Sequence, residues 1–87
     1  MYKQQIIDTV NAIMARKADV DISEIKPDDC YDELGADSMQ CMEALVEIEE
    51  EFAIDIPGSK LLHANTMQDV YDIVGQTIVD THGFQLY

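Results

Sequence analysis

The chain has 87 residues, with 18 Asp plus Glu against five Lys plus Arg, for a formal net charge of −13. Charge of that sign repels nucleic-acid backbones and anionic membranes and attracts basic protein surfaces. The length suits one domain over 1–87 with a thin core, and a hydrophobic content of 47% fits a folded chain rather than a disordered one.

Two cysteines, Cys30 and Cys41, are too few for a disulfide framework and read as reduced packing thiols of a cytoplasmic protein. The opening "MYKQQIIDTV" lacks the apolar core of a signal peptide. The apolar run from Ala12 to Ala15 is far too short to span a membrane. A soluble monomer is expected.

In chain order, the first predicted helix covers residues 3 to 16. Ile6, Val10, Ile13 and Met14 recur at three- and four-residue spacing on one face. A long connection follows from 17 to 36. Pro27 disfavours helix at Lys26, while Ile25, Tyr31 and Leu34 are apolar anchors for the loop. The second helix starts at Asp37 or Ser38 and runs to Phe52, with Asp37 as N-cap and Gln40 three residues on. Its buried side is expected to hold Met42, Leu45, Val46, Ile48, Glu49 and Phe52, with Glu43, Glu47, Glu50 and Glu51 opposite. Pro57 and Gly58 end this region. A short helical turn is placed at 59–63. Thr66, with Asp69 three residues later, caps a last helix whose stripe is Met67, Val70, Tyr71, Val74 and Ile78. From Thr81 the tail is expected to fray. The pattern predicts an all-α four-helix bundle, three helices long and one short, with a long loop between the first two.

Ser38 then stands in the first turn of a helix. Backbone N–H groups there are unpaired and the helix dipole is positive, so a phosphodiester on its hydroxyl suits the position. The plainer reading makes Ser38 part of the cap. Nucleophilic catalysis needs a general base and an orienter for it. The only histidines are His63 in the short helix and His82 in the tail, and "GADSM" is not a G-x-S-x-G elbow. Metal binding is also disfavoured. "DVDISEIKPDDC" begins like a calcium loop but has Glu24 where a turn needs Gly and Cys30 where Glu should chelate. The acids beyond Ser38 are a solvated face that can steer basic partners.

The ordered set Leu34, Gly35, Asp37, Ser38, Met39, then Glu49, Glu50, Glu51, Phe52, Ile56 and Pro57 resembles the acyl carrier protein family. The similarity runs over about residues 3–80. It implies a carrier rather than an enzyme. In that family the serine, here Ser38, receives 4′-phosphopantetheine from coenzyme A, and the arm's thiol holds acyl groups as thioesters. Asp37 would assist the phosphopantetheinyl transferase in placing magnesium. Glu43, Val46, Glu49 and Glu50 match partner-facing positions, and Met39 and the additional acid Glu47 are placed on the same partner surface, the partners being ketosynthases, acyltransferases and reductases with basic patches. Met42, Leu45, Ile48, Ile56, Leu61 and Tyr71 match positions that line an acyl cavity in some members.

Gln40, Met39 and the segment "GSKLLHAN" depart from the housekeeping fatty-acid pattern and point to a specialised fatty-acid, lipid or polyketide carrier. Two other readings stay open. One is an aminoacyl or peptidyl carrier, and the other is an acidic helical interaction domain that carries nothing.

Self-repulsion among so many like charges loosens the compact state. The melting temperature is therefore expected to rise with added NaCl or MgCl₂ in a thermal scan. A flat response to both salts would show that repulsion does not limit stability.

Overall fold

The computed structural model describes residues 1–28, 38–61, 64, 66–83 and 85–87, without the side chains of 38–41, 58 and 61. Every regular element among them is helical: α1 (Lys3–Ala18), a 3₁₀ turn (Ile22–Glu24), α2 (Ser38–Phe52), a single-turn α3 (Gly58–Leu61) and α4 (Met67–His82). There is no β-strand among the described residues, and "FAIDI" forms the end of α2 and the turn after it.

Local chemistry explains where the helices begin. At α1 the Tyr2 N–H donates to Gln5 Oε1 (3.0 Å), which satisfies a backbone donor at the helix start. At α4 the expected Thr66 cap is present and reciprocal. The Asp69 N–H donates to Thr66 Oγ1 (3.3 Å), and the Thr66 N–H donates to Asp69 Oδ2 (3.2 Å). Asp21, which opens nothing resembling a calcium site, instead caps the 3₁₀ turn by accepting from the Ser23 N–H (3.3 Å).

The three long helices end alike, on a residue in the left-handed region: Asp19 (φ 56°), Ala53 (φ 53°) and Gly83 (φ 70°). After α2 the Ile54 N–H reaches back to the Glu49 carbonyl (2.9 Å) and the Ala53 N–H to that of Glu50 (3.4 Å). This double return is a Schellman termination, normally the province of glycine. Here alanine accepts the steric cost because the turn drives Ile54 and Ile56 inward, where both are buried.

The core is built where α1 meets α2 and α4. Val10, Met67, Val74 and Ile78 are wholly buried, with Ile6 and Ile48 nearly so. The Tyr71 hydroxyl donates to Asn11 Oδ1, tying α4 to α1 by a polar contact inside the apolar layer. Thr77, buried on α4, donates its hydroxyl to the Ile73 carbonyl (2.7 Å) and so leaves no orphan polar atom. In the first connection Ile25 is buried and the Pro27 carbonyl accepts from the Gln68 N–H (3.0 Å), which pins that segment to the start of α4. Tyr31 and Leu34, the other expected anchors, lie outside the described residues.

The end of the chain is held. Residues 81 and 82 continue α4, and His82 Nε2 donates to the Phe52 carbonyl (2.8 Å) at the close of α2. Beyond Gly83 the chain turns back. The Tyr87 N–H donates to the Met1 carbonyl (3.1 Å) and the Lys3 N–H to that of Tyr87 (2.9 Å). The rings of Tyr2 and Tyr87 meet at 5.8 Å. The described tail residues are thus hydrogen-bonded against the start of α1.

The buried face of α2 differs from expectation. Ala44 and Ile48 are buried, with Leu45 and Phe52 packed partly against the core, whereas Met42 is 68% exposed and Val46 52%. Met42 and Val46 lie one turn apart and share an exposed face. Met42 is thereby removed from the residues expected to line an acyl cavity. Of the others, Ile48, Ile56 and Tyr71 belong to the core, Leu45 borders it, and the side chain of Leu61 lies outside the described set.

This register yields a paired test. Ile48→Ala should cost about 2–5 kcal/mol, as cavity-forming truncations do. Met42→Ala should stay within about 0.5 kcal/mol, as surface changes do. Urea denaturation of both variants measures the difference, and equal losses would contradict the register.

Candidate functional site

Ser38 is the first residue of α2, and α2 runs for 15 residues to Phe52. The opening amides of such a helix have no intrahelical acceptor, and its dipole puts partial positive charge at that end. An ester-linked phosphate on the serine hydroxyl therefore fits this backbone position. Asp37, expected to cap the helix, lies outside the described residues, as do the side chains of Ser38 and Met39.

Downstream of Ser38, α2 presents two kinds of surface. Met42 and Val46 form an exposed apolar step at i and i+4, and Glu43, Glu50 and Glu51 are exposed beside it. The other two candidate acids are engaged within the chain. Glu47 accepts from the Arg16 guanidinium and lies 3.0 Å from Lys17 Nζ, while Glu43 lies 3.7 Å from the same ammonium. Glu49 is half-buried and accepts a hydrogen bond from the Ile56 backbone N–H.

Proton affinities follow these contacts. The hydrogen bond from Lys17, reinforced by Arg16, holds the Glu47 carboxyl below its ordinary range. The same bond to Glu47, opposed by some desolvation, raises Lys17. Glu49 shifts the other way. Burial pushes its carboxyl up and the neighbouring Asp55 carboxylate adds to the push, while the Ile56 N–H pulls it down.

The structure thus brings Glu43, Val46 and Glu50 together on an open face, holds Glu47 at the seam with α1, and turns Glu49 toward the α2 end-turn. Arg16 and Lys17 are the residues that the sequence reading missed. Two cations in the last turn of α1 complement that helix's own dipole, which is a local signal. Their partners lie about thirty residues away, at Glu43 and Glu47, beyond the reach of any helical spacing rule. Among the described residues no group of three or more His, Cys, Asp or Glu is arranged to hold a metal, and no helix is long and apolar enough to cross a membrane.

The seam predicts a pH signature with a definite sign. Glu47 has a lowered folded-state pKa, so its contribution is present above 4.5 and is lost as pH falls through the depressed value. Lys17 has a raised one, so its contribution is present below 10.5 and is lost as pH rises past it. The melting-temperature gap between wild type and Glu47→Gln should be widest between those limits at low salt. It should close at acid pH, once pH has fallen through the depressed value and the carboxylate has taken up its proton. A gap independent of pH would remove the ion pairs from the explanation.

Comparison with known proteins agrees with the geometry. Residues 8–74 match the family model described as the phosphopantetheine attachment site. The chain is 32% identical over 79 residues to the acyl carrier protein of Thermosynechococcus vestitus, covering 90% of this chain and 98% of that one. It is 33% identical over 84 residues to that of Cyanophora paradoxa, covering 95% and 82%, and 36% identical over 77 residues to that of Cyanidioschyzon merolae, covering 87% and 85%. A helix beginning at the serine, an acidic helix surface beyond it, and matches over most of the length all point one way: the chain belongs to the phosphopantetheine-attachment family of acyl carrier proteins.

Proposed function

We infer that this chain is an acyl carrier, modified at Ser38 with 4′-phosphopantetheine, which delivers its cargo to partner enzymes and catalyses nothing alone. The observation that carries the reading is the coincidence of the family match with the start of α2 at Ser38. The arm supplies a terminal thiol that holds an acyl group as a thioester. The chain's own part is to present a serine hydroxyl at a helix start, stabilise the attached phosphodiester there, and offer a face for docking. Asp37, adjacent to the attachment point, is assigned the role of assisting the transferase with its magnesium.

The docking face comprises Glu43, Val46 and Glu50, with Met39 beside the arm. It is supported by the exposure of Val46 and of both carboxylates. Glu47 and Glu49 stand at its edges. Partners are a phosphopantetheinyl transferase and acyl-processing enzymes such as ketosynthases, acyltransferases and reductases with basic patches. Rim contacts of this kind are individually weak and salt-sensitive, which suits repeated association and release. The remaining assignments are a monomeric, cytoplasmic carrier in a specialised fatty-acid, lipid or polyketide pathway, forming one domain with the architecture of a four-helix bundle.

Incubation with coenzyme A, Mg²⁺ and a broad-specificity phosphopantetheinyl transferase should add the mass of one arm, read by intact-protein mass spectrometry. Ser38→Ala should abolish the addition while leaving the helical circular dichroism unchanged. A folded wild-type chain that several transferases leave unmodified would overturn the carrier assignment.

A further inference from the structure

Arg16 and Lys17 occupy an unusual place for a chain this poor in cations. Of the five Lys and Arg residues, these two lie side by side at the end of α1 and turn onto α2, the helix that carries the attachment serine. Lys17 lies between Glu43 and Glu47, at 3.7 and 3.0 Å. Arg16 pairs with Glu47 yet keeps 67% of its side chain exposed, and it borders the groove that Glu50 and Glu51 also line. The Glu47 side chain retains only 32% exposure, against 54% for Glu43. The outward surface of α2 is therefore of mixed sign. Its centre, at Met42 and Val46, is apolar, its exposed acids are Glu43 (which also lies 3.7 Å from Lys17), Glu50 and Glu51, and its edge toward α1 carries a guanidinium.

We propose that Arg16 and Lys17 are positioning residues that set partner specificity: they engage Glu47 from within the chain and place a cation at the α1 edge of the docking face. A partner that approaches with a continuous basic strip loses one acid it would otherwise pair with and meets Arg16 as a like charge. The partner that fits has few cations, spaced for Glu43 and Glu50 around an apolar contact for Met42 and Val46. It presents a neutral or acidic group toward Arg16. The cations act through Glu47 and through the field at the rim rather than by touching the arm. The inference rests on the carrier reading, and it specifies which of the acids partners use.

The test is a substitution cycle read in the steady-state kinetics of arm transfer at low ionic strength, with a phosphopantetheinyl transferase and coenzyme A. Replacing both cations, Arg16→Gln with Lys17→Gln, should lower KM for the carrier about two- to fivefold, the range expected for rim charges, with kcat unchanged. Adding Glu47→Gln to that variant should remove the part of the gain that comes from the released Glu47 carboxylate, leaving the smaller part due to the lost like charge. Glu47→Gln alone should leave KM near wild type, whereas Glu50→Gln should raise it. Lys3→Gln removes one positive charge about 20 Å along α1, away from the α2 seam, and should leave KM unchanged. A purely structural role for the ion pairs would move the melting temperature without this split between KM and kcat.

An effect of Glu47→Gln on KM as large as that of Glu50→Gln would overturn the proposal. So would a gain that Glu47→Gln leaves undiminished in the doubly substituted background. These comparisons of single substitutions hold even if the double variant folds poorly. A wild-type chain that accepts no arm overturns the carrier reading and this inference with it. A wild-type chain that is modified, without coupling between the cations and Glu47, overturns this inference alone.

Discussion

Thirteen units of excess negative charge must be carried by a fold whose core, among the described residues, is little more than fourteen buried side chains. The architecture is a response to that imbalance. Acids are pushed to the outside of α2, the interior is kept almost purely aliphatic, and two of the five cations are placed at the seam where α1 meets the most acidic helix. Tyr71 with Asn11 and Thr77 with Ile73 are the polar exceptions inside, and both are satisfied. Repulsion on the surface is thereby opposed where it would do most harm, between the two helices that must stay in contact for Ile48 to remain covered.

The same imbalance serves a carrier. A protein that visits several enzymes in turn gains from attraction that is long-ranged but weak, because it speeds encounter without slowing release. Apolar residues at Met42 and Val46 give short-range definition that charge alone lacks. Their exposure is flanked by carboxylates, whose like charge opposes the approach of two copies of the same face. The helix start at Ser38 adds a third element, a fixed region of partial positive charge.

Much of this was legible in the sequence. Ile6, Val10 and Ile13 on α1, and Met67 through Ile78 on α4, carry a clean helical period and are buried as that period requires. The Thr66–Asp69 cap is a local motif and forms as read. Ser38 and the order of residues around it disclosed the family. The face of α2 was not legible, for a definable reason. Apolar residues at 41, 42, 44, 45, 46, 48 and 52 spread over more than half of that helix's circumference, so periodicity alone does not fix the edge of the buried face. The decisive buried residue is Ala44, too small to stand out among larger neighbours. The seam with Arg16 and Lys17 was equally hidden, since it depends on how two helices cross.

Gly75 closes the account of α4. A glycine in the middle of a helix costs roughly 0.5–1 kcal/mol relative to alanine. A β-carbon there would stand 3.2 Å from Leu86 Cδ1 and 4.0 Å from Ile6 Cδ1. Positions 75 and 86 are thus a matched pair in volume, a notch and the side chain that fills it. Among relatives the two should vary together. A side chain at the helix position should go with a shorter residue in the tail, or with a tail that takes another path. The helix holds its weakest residue at the point where a distant part of the chain packs against it.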